Sequence, residues 1–264
     1  MSRIRQQFES LKSEGRKGFI PFVTAGDPDL ETSLAIVLKL AELGADVIEL
    51  GVPFSDPMAD GPTIQRSSQR ALAKRVTLSD VLALAAKTRE QTEIPIVFFS
   101  YLNPLIRFGF SDLVDAAADA GIDGVLVTDA VDDEAAGFAE HLGNRGLDLI
   151  SLIAPTTTDA RLERIANTSS GFLYAISRAG VTGARQEVSD AAEKLVTRAR
   201  QFTELPIAVG FGISTAKQIE DVWKFADAAV VGSAIVTEIE KAGDDGAVDA
   251  VEGFVSGLLP QFAK

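Results

Sequence analysis

The stretch DVIELGVPFSDPMADGPTIQ, Asp46 to Gln65, sets a carboxylate, Glu49, inside an apolar run and follows it with a loop of prolines and aspartates. Burying a lone carboxylate is costly unless the group is paired, protonated or used. At the C-terminal end of a strand it is a candidate general acid or base. Its other reading is a structural acid, paired with an arginine or bonded to backbone amides. Asp60, in MADGP at the far end of the loop, reads on its own as the aspartate of an Asp-Gly turn. The loop is nonetheless long enough to fold back and bring Asp60 over the same pocket. Two carboxylates at one pocket supply what acid/base chemistry needs when one must donate and the other must stay charged.

Two glycine-rich segments offer a second kind of chemistry. In VGFGIS (209–214) and VVGSAI (230–235), Gly210, Gly212, Gly232 and Ser233 present backbone amides that bind phosphate without a cationic side chain; ordinary tight turns would carry the same residues. A dinucleotide fingerprint is the weaker reading, because Thr215 stands at the third glycine position. The polar segment SRAGVTGARQEVSD (177–190) reads either as a lid that orders over a ligand or as a plain mobile loop. The single histidine, His141, lies in the helical pattern EAAGFAEHLG and reads as a surface residue. There is no cysteine, and no strand candidate carries a lysine, so thiolate and Schiff-base chemistry lack a nucleophile. No metal centre is expected, although an oxygen-only magnesium site stays open.

The elements that must position these residues follow from hydrophobic periodicity. Short apolar runs at 19–24, 46–51, 95–101, 124–129, 147–154, 171–177, 206–212 and 228–233 read as buried strands. Amphipathic patterns at 30–43, 78–91, 111–120, 190–202 and 215–225 read as helices between them. Strands apolar on both faces and separated by helices make a parallel sheet, and eight such units in one domain length fit a closed barrel. The predicted fold is α/β, a single-domain (β/α)8 TIM barrel over residues 1–264 with an extra N-terminal helix. Active sites of this fold lie at the C-terminal ends of the strands, and phosphate commonly binds after strands seven and eight. On the second strand, period-two alternation turns Val47 and Glu49 to one face and Ile48 and Leu50 to the other. A weak repeat, LGADVI (43–48) and AGIDGV (120–125), ends a helix with glycine, sets an aspartate at the turn and enters a strand. KAGDDGAVDA (241–250) reads as a surface turn between two terminal helices.

A formal net charge of −13 argues against nucleic acid and anionic membrane surfaces as partners. The opening MSRIRQQFESLKSEG lacks the apolar core of a signal peptide, and a cytoplasmic location is expected.

Taken together, PFVTAGDPD (21–29), ELGVPFSDPMADGPTIQ (49–65), GVLVTD (124–129), SRAGVTGAR (177–185), VGFGIS (209–214) and VGSAIV (231–236) resemble the tryptophan synthase α-subunit family along nearly the whole chain. The resemblance implies cleavage of indole-3-glycerol phosphate into indole and glyceraldehyde 3-phosphate. It implies no cofactor in this chain, and a pyridoxal-phosphate β subunit that takes up the indole in an αββα heterotetramer. By position, Glu49 resembles the acid/base that protonates indole C3 and removes the glycerol hydroxyl proton, and Asp60 its partner at the indole nitrogen. Phe22, Leu126, Tyr174 and Phe211 resemble the pocket lining, and Thr182 the lid residue that orients the glutamate. Gly183, Gly212, Gly232 and Ser233 resemble the phosphate cradle. Asp56 with Pro53 and Pro57 resembles the loop that meets the β subunit. Thr128-Asp129-Ala130-Val131 and SYLNP (100–104) depart from the more frequent forms, at places that bear on partner contact. Two other readings remain: another phosphosugar barrel enzyme, which would want a strand-end lysine or cysteine, and a non-catalytic subunit that mainly activates the β subunit.

Overall fold

The computed structural model describes residues 2–130, 132–176, 185–210 and 212–259. Its strands are β1 (Gly18–Thr24), β2 (Ile48–Gly51), β3 (Ile96–Ser100), β4 (Gly124–Val127), β5 (Asp148–Ile153), β6 (Leu173–Ile176), β7 (Ile207–Gly210) and β8 (Ala228–Val231). All neighbours are parallel, and they close in chain order, with β8 returning to pair with β1. The helices are α1 (Arg3–Ser13), α2 (Leu30–Glu42), α3 (Pro62–Ala73), α4 (Leu78–Arg89), α5 (Leu102–Phe108) and α6 (Phe110–Asp119). They continue with α7 (Asp132–Asn144), α8 (Asp159–Thr168), α9 (Arg185–Ala199), α10 (Ala216–Trp223), α11 (Ser233–Ala242) and α12 (Ala247–Leu258). Among the described residues no helix is long and apolar enough to cross a membrane.

The alternation read from the sequence divides the core in two. Phe19, Val23, Ile48, Leu50, Ile96 and Phe98 face outward onto the helices. Ile20, Val47, Val97, Leu126, Ile150, Ala208, Ala228 and Val230 fill the lumen. Helix α1 stops the N-terminal end of that lumen with Ile4, Phe8 and Leu11. Gly124 shows how tightly: a Cβ there would stand 2.5 Å from Ile150 Cδ1 and 2.9 Å from Ile4 Cδ1, nearer than packed atoms approach. With the floor sealed, only the opposite mouth is left for a cavity.

The weak repeat has a mechanical cause beyond its glycines, of which Gly44 and Gly121 hold φ of +94° and +77°. Asp46, just before β2, reaches back to accept the Phe19 N–H at 2.8 Å, and Asp123, just before β4, accepts the Ile96 N–H at 2.9 Å. The same staple recurs at two strands outside the repeat. Asp227 accepts the Ile207 N–H at 2.8 Å ahead of β8, and Ser170 Oγ accepts the Leu149 N–H at 3.0 Å ahead of β6. Each odd strand is thus pinned at its start by a residue preceding its even partner, and the donors stapled are backbone amides at strand beginnings.

Two differences from the expected elements matter for the site. α3 begins at Pro62, inside the stretch read as loop, where proline at the first helical position lacks an amide that would have no partner anyway. α9 begins at Arg185, ahead of the expected 190, because its polar first turn carries no apolar spacing.

Candidate active site

At the C-terminal mouth lies a cavity of about 340 Å³. Glu49, Phe22, Phe99, Leu152, Tyr174 and Val230 line it from the strands. The Ala59–Ile64 segment closes one side, and Gly212, Gly232 and Ser233 another. Phe22 is level with Glu49 across the β1–β2 ladder, and its ring meets Phe99 edge-on, with centroids 5.3 Å apart. The cavity therefore joins an aromatic wall to a set of backbone amides, with Phe22 beside Gly232.

Glu49 is 1 % exposed, and its Oε1 has no hydrogen-bond partner among the described residues. Burial drives its pKa well above the usual carboxylate range, and no cation among the described residues offsets it. The structural reading of Glu49, an acid paired with arginine or amides, is not what the geometry shows. Asp60 sits at the end of a turn in which its N–H bonds the Pro57 carbonyl at 3.2 Å, and the Gln65 amide donates to the Asp60 carbonyl at 2.9 Å. Burial raises its carboxyl to about 6, against the opposing pull of the Tyr101 hydroxyl. The two acids that line one cavity thus differ in kind. Burial favours the protonated form of both, and more strongly that of Glu49 than that of Asp60.

Tyr101, at the end of β3, was not among the expected residues. Its Oη accepts the Ala59 N–H at 2.9 Å, its ring packs 5.1 Å from Phe54, and it is 4 % exposed. It therefore holds the loop that carries Asp60. The signal in the sequence was slight, a tyrosine in SYLNP where period-two reading placed a strand end. Tyr174 is pushed well above the ordinary tyrosine value by burial, then by the charges of Glu49 and Asp60, so it stays a neutral phenol.

Gly210 takes a different part from the one expected. It is a strand residue, and a Cβ on it would stand 2.1 Å from the Tyr174 hydroxyl oxygen, so the missing side chain is room for the phenol and not a phosphate cradle. Gly212 (φ +77°) lines the cavity, and Gly232 caps α11 with no side chain bonded to the first amides, which leaves them for an anion. Leu126 lies in the packed lumen with Val97 and Ile150, and it is not among the residues lining the cavity. Pro53 is buried, while Asp56 is exposed and Pro57 partly so. Thr182, Gly183 and Phe211 lie outside the described residues, as does the core of the expected lid. His141 is on the surface of α7, its Nδ1 bonded to the Gly137 carbonyl at 2.8 Å.

Fold and site define a (β/α)8 barrel with two unlike carboxylates and a set of glycine amides around one apolar cavity at its C-terminal mouth. The family model described as tryptophan synthase alpha chain matches residues 8–256. The chain is 50 % identical to the tryptophan synthase alpha chain of Citrifermentans bemidjiense over 98 % of its length and 97 % of that protein, and 48 % identical to that of Burkholderia multivorans over 98 % and 96 %. Tryptophan synthase subunit alpha from Legionella pneumophila superposes with a TM-score of 0.89 at 35 % identity, covering 98 % of this chain and 97 % of that one. A chain from the tryptophan synthase a2b2 complex of Pyrococcus furiosus superposes at 0.86 and 39 % identity, covering 91 % and 97 %. The chain belongs to the tryptophan synthase α chain family, lyases that cleave indole-3-glycerol phosphate in tryptophan biosynthesis.

Proposed function

We propose that Glu49 and Asp60 perform this cleavage as an acid/base pair without a cofactor in this chain. Breaking a carbon–carbon bond needs an electron sink, and the indole ring supplies it once protonated at C3. The neutral Glu49 carboxyl gives its proton to C3, and ionised Asp60 stabilises the positive charge that develops at the ring nitrogen. The Glu49 carboxylate then takes the proton of the adjacent glycerol hydroxyl. The C3 bond breaks, its electron pair restores the aromatic ring, and the hydroxyl carbon leaves as the aldehyde of glyceraldehyde 3-phosphate. Glu49 ends protonated, as it began.

Phe22, Phe99, Leu152 and Tyr174 would hold the indole, while the amides at Gly212, Gly232 and Ser233 would hold the phosphate; Phe211, Thr182 and Gly183 complete the pocket and its lid on this reading. The observation that carries the proposal is the buried Glu49 Oε1 without a partner in the cavity wall. A chain that only activated a partner would have no use for it.

The protein acts, on this proposal, as one barrel domain in the cytoplasm, paired with a pyridoxal-phosphate β subunit in an αββα assembly. Asp56 and Pro57 would lie at that interface, and the large exposed apolar side chains Met58 and Ile106 mark the same edge: Met58 is in the loop that Tyr101 holds, and Ile106 is in α5, which Tyr101 caps. The test is indole release from indole-3-glycerol phosphate by the purified chain, with and without a β subunit. Turnover by the wild-type chain that is lost in Glu49→Gln supports the proposal; turnover retained in that variant refutes it.

A further inference from the structure

The first turn of α3 (Pro62, Thr63, Ile64) forms one wall of the cavity, and the N-terminus of α11 (Gly232, Ser233) forms another. Behind the cavity, α3 is tied down by Arg66, Ser67 and Arg70, neighbours on one helical face. Ser67 Oγ lies 2.7 Å from Thr24 Oγ1 of β1, both buried. The Arg70 fork grips the buried Asp27 carboxylate, Nε to Oδ1 at 2.7 Å and Nη2 to Oδ2 at 2.8 Å. Its remaining nitrogen, Nη1, donates to Glu240 Oε1 at 2.9 Å. Arg66 lays a second fork on Glu240, at 2.6 and 2.7 Å.

Glu240 lies about two turns along α11 from Ser233. One carboxylate therefore joins the helix that starts beside Asp60 to the helix that starts at the anion cradle. As a source of stability the arrangement is modest, because the Arg66 and Glu240 side chains are 49 % and 29 % exposed and water screens such pairs. As a geometric constraint it is specific, since the planar fork of Arg66 and the third nitrogen of Arg70 hold the same carboxylate.

We infer that Glu240, held by Arg66 and Arg70, is a positioning residue that sets the span between the carboxylate end of the cavity and the Gly232–Ser233 anchor, and so the length of substrate the site accepts. The inference rests on the reading that this anchor takes the substrate phosphate. A fixed span lets the second end of a ligand bind at high effective concentration once the first is seated. Loosening the span forfeits that gain and leaves the affinity of each end unchanged.

The experiment is calorimetric titration of the wild-type chain, Glu240→Gln, Arg66→Gln and Arg66→Lys with three ligands, alongside steady-state kinetics. The ligands are inorganic phosphate, indole, and an unreactive indole bearing a three-carbon alkyl phosphate at C3. Glu240→Gln should bind phosphate and indole within about 2-fold of wild type, bind the joined ligand about 10-fold more weakly, and show the loss mainly in KM. Arg66→Lys, which keeps the charge and loses the fork, should fall between. Should Glu240→Gln fail to fold, the half-exposed Arg66→Gln carries the same comparison. Undiminished affinity for the joined ligand, or equal weakening of all three ligands, overturns the inference. A wild-type chain that binds the joined ligand no better than its halves would instead sink the reading of the anchor.

Discussion

Two carboxylates of ordinary intrinsic acidity are raised to different extents because their surroundings differ, and the consequences are measurable. The proposed mechanism requires ionised Asp60 and protonated Glu49. A plot of kcat/KM against pH should therefore fall on the acid side with an apparent pKa of about 6, and fall again on the alkaline side as Glu49 ionises. Asp60→Asn should lower kcat/KM by about 100-fold and abolish the acid limb; an unchanged limb assigns it elsewhere. Glu49→Gln should lower turnover by about 10²–10⁴-fold. It should also stabilise the fold. Raised pKa means that the folded state holds the proton where the unfolded state has lost it, so stability declines as pH rises above the ordinary glutamate value. The variant escapes that decline, with a gain of about 1–3 kcal/mol in urea unfolding near pH 8 that vanishes below about pH 4. Glu49 was legible in the sequence because an acid in an apolar strand demands a reason. Asp60 alone was not, since an Asp-Gly turn explains it as well, and Tyr101 gave hardly any signal. What Tyr101 does depends on a contact between two loops that no local pattern encodes.

At the scale of elements, the eight strands and the two faces of each were readable because every strand is apolar on both sides. α3 was not named beforehand. Its polar, arginine-rich face meets Asp27 and Glu240 instead of the core, so the apolar spacing that signals a helix is thin there. The glycines show the reverse error. A glycine after a strand reads as a loop that approaches a ligand, yet Gly210 is a gap filled by its neighbour's phenol. Gly210→Ala should therefore force the Tyr174 ring toward the cavity, at a cost of about 1–3 kcal/mol in thermal or urea unfolding and a raised KM. Tyr174→Phe in the same chain removes the oxygen nearest the new methyl group. The double variant should recover part of the lost stability, and no recovery would mean that the strain lies in the backbone.

For the whole molecule, α1 seals one end of the lumen, and on the proposed function the mouth serves both substrate and partner. The exposed Ile106 tests the second use: Ile106→Asp should weaken association with a β subunit by about 10-fold or more while indole release by the isolated chain stays unchanged, and unaltered association would place the interface elsewhere. The strand order was legible from the alternation of elements, whereas the partner surface is an expectation that rests on resemblance. The four staples carry a different consequence. Asp46, Asp123, Ser170 and Asp227 each bind a strand to the one just before it, so the chain is bracketed into quarters, and among the described residues the seams between quarters have no such fastening. Where a polypeptide can be severed and still rebuild its fold should follow those brackets. Fragments 1–145 and 146–264, parted at a seam, should recombine into an active lyase when mixed, and fragments 1–121 and 122–264, parted inside a quarter, should do so poorly. On that view the barrel is a ring of four interchangeable cassettes, and the seams are where homologous segments could be traded between relatives without retuning the strands on either side.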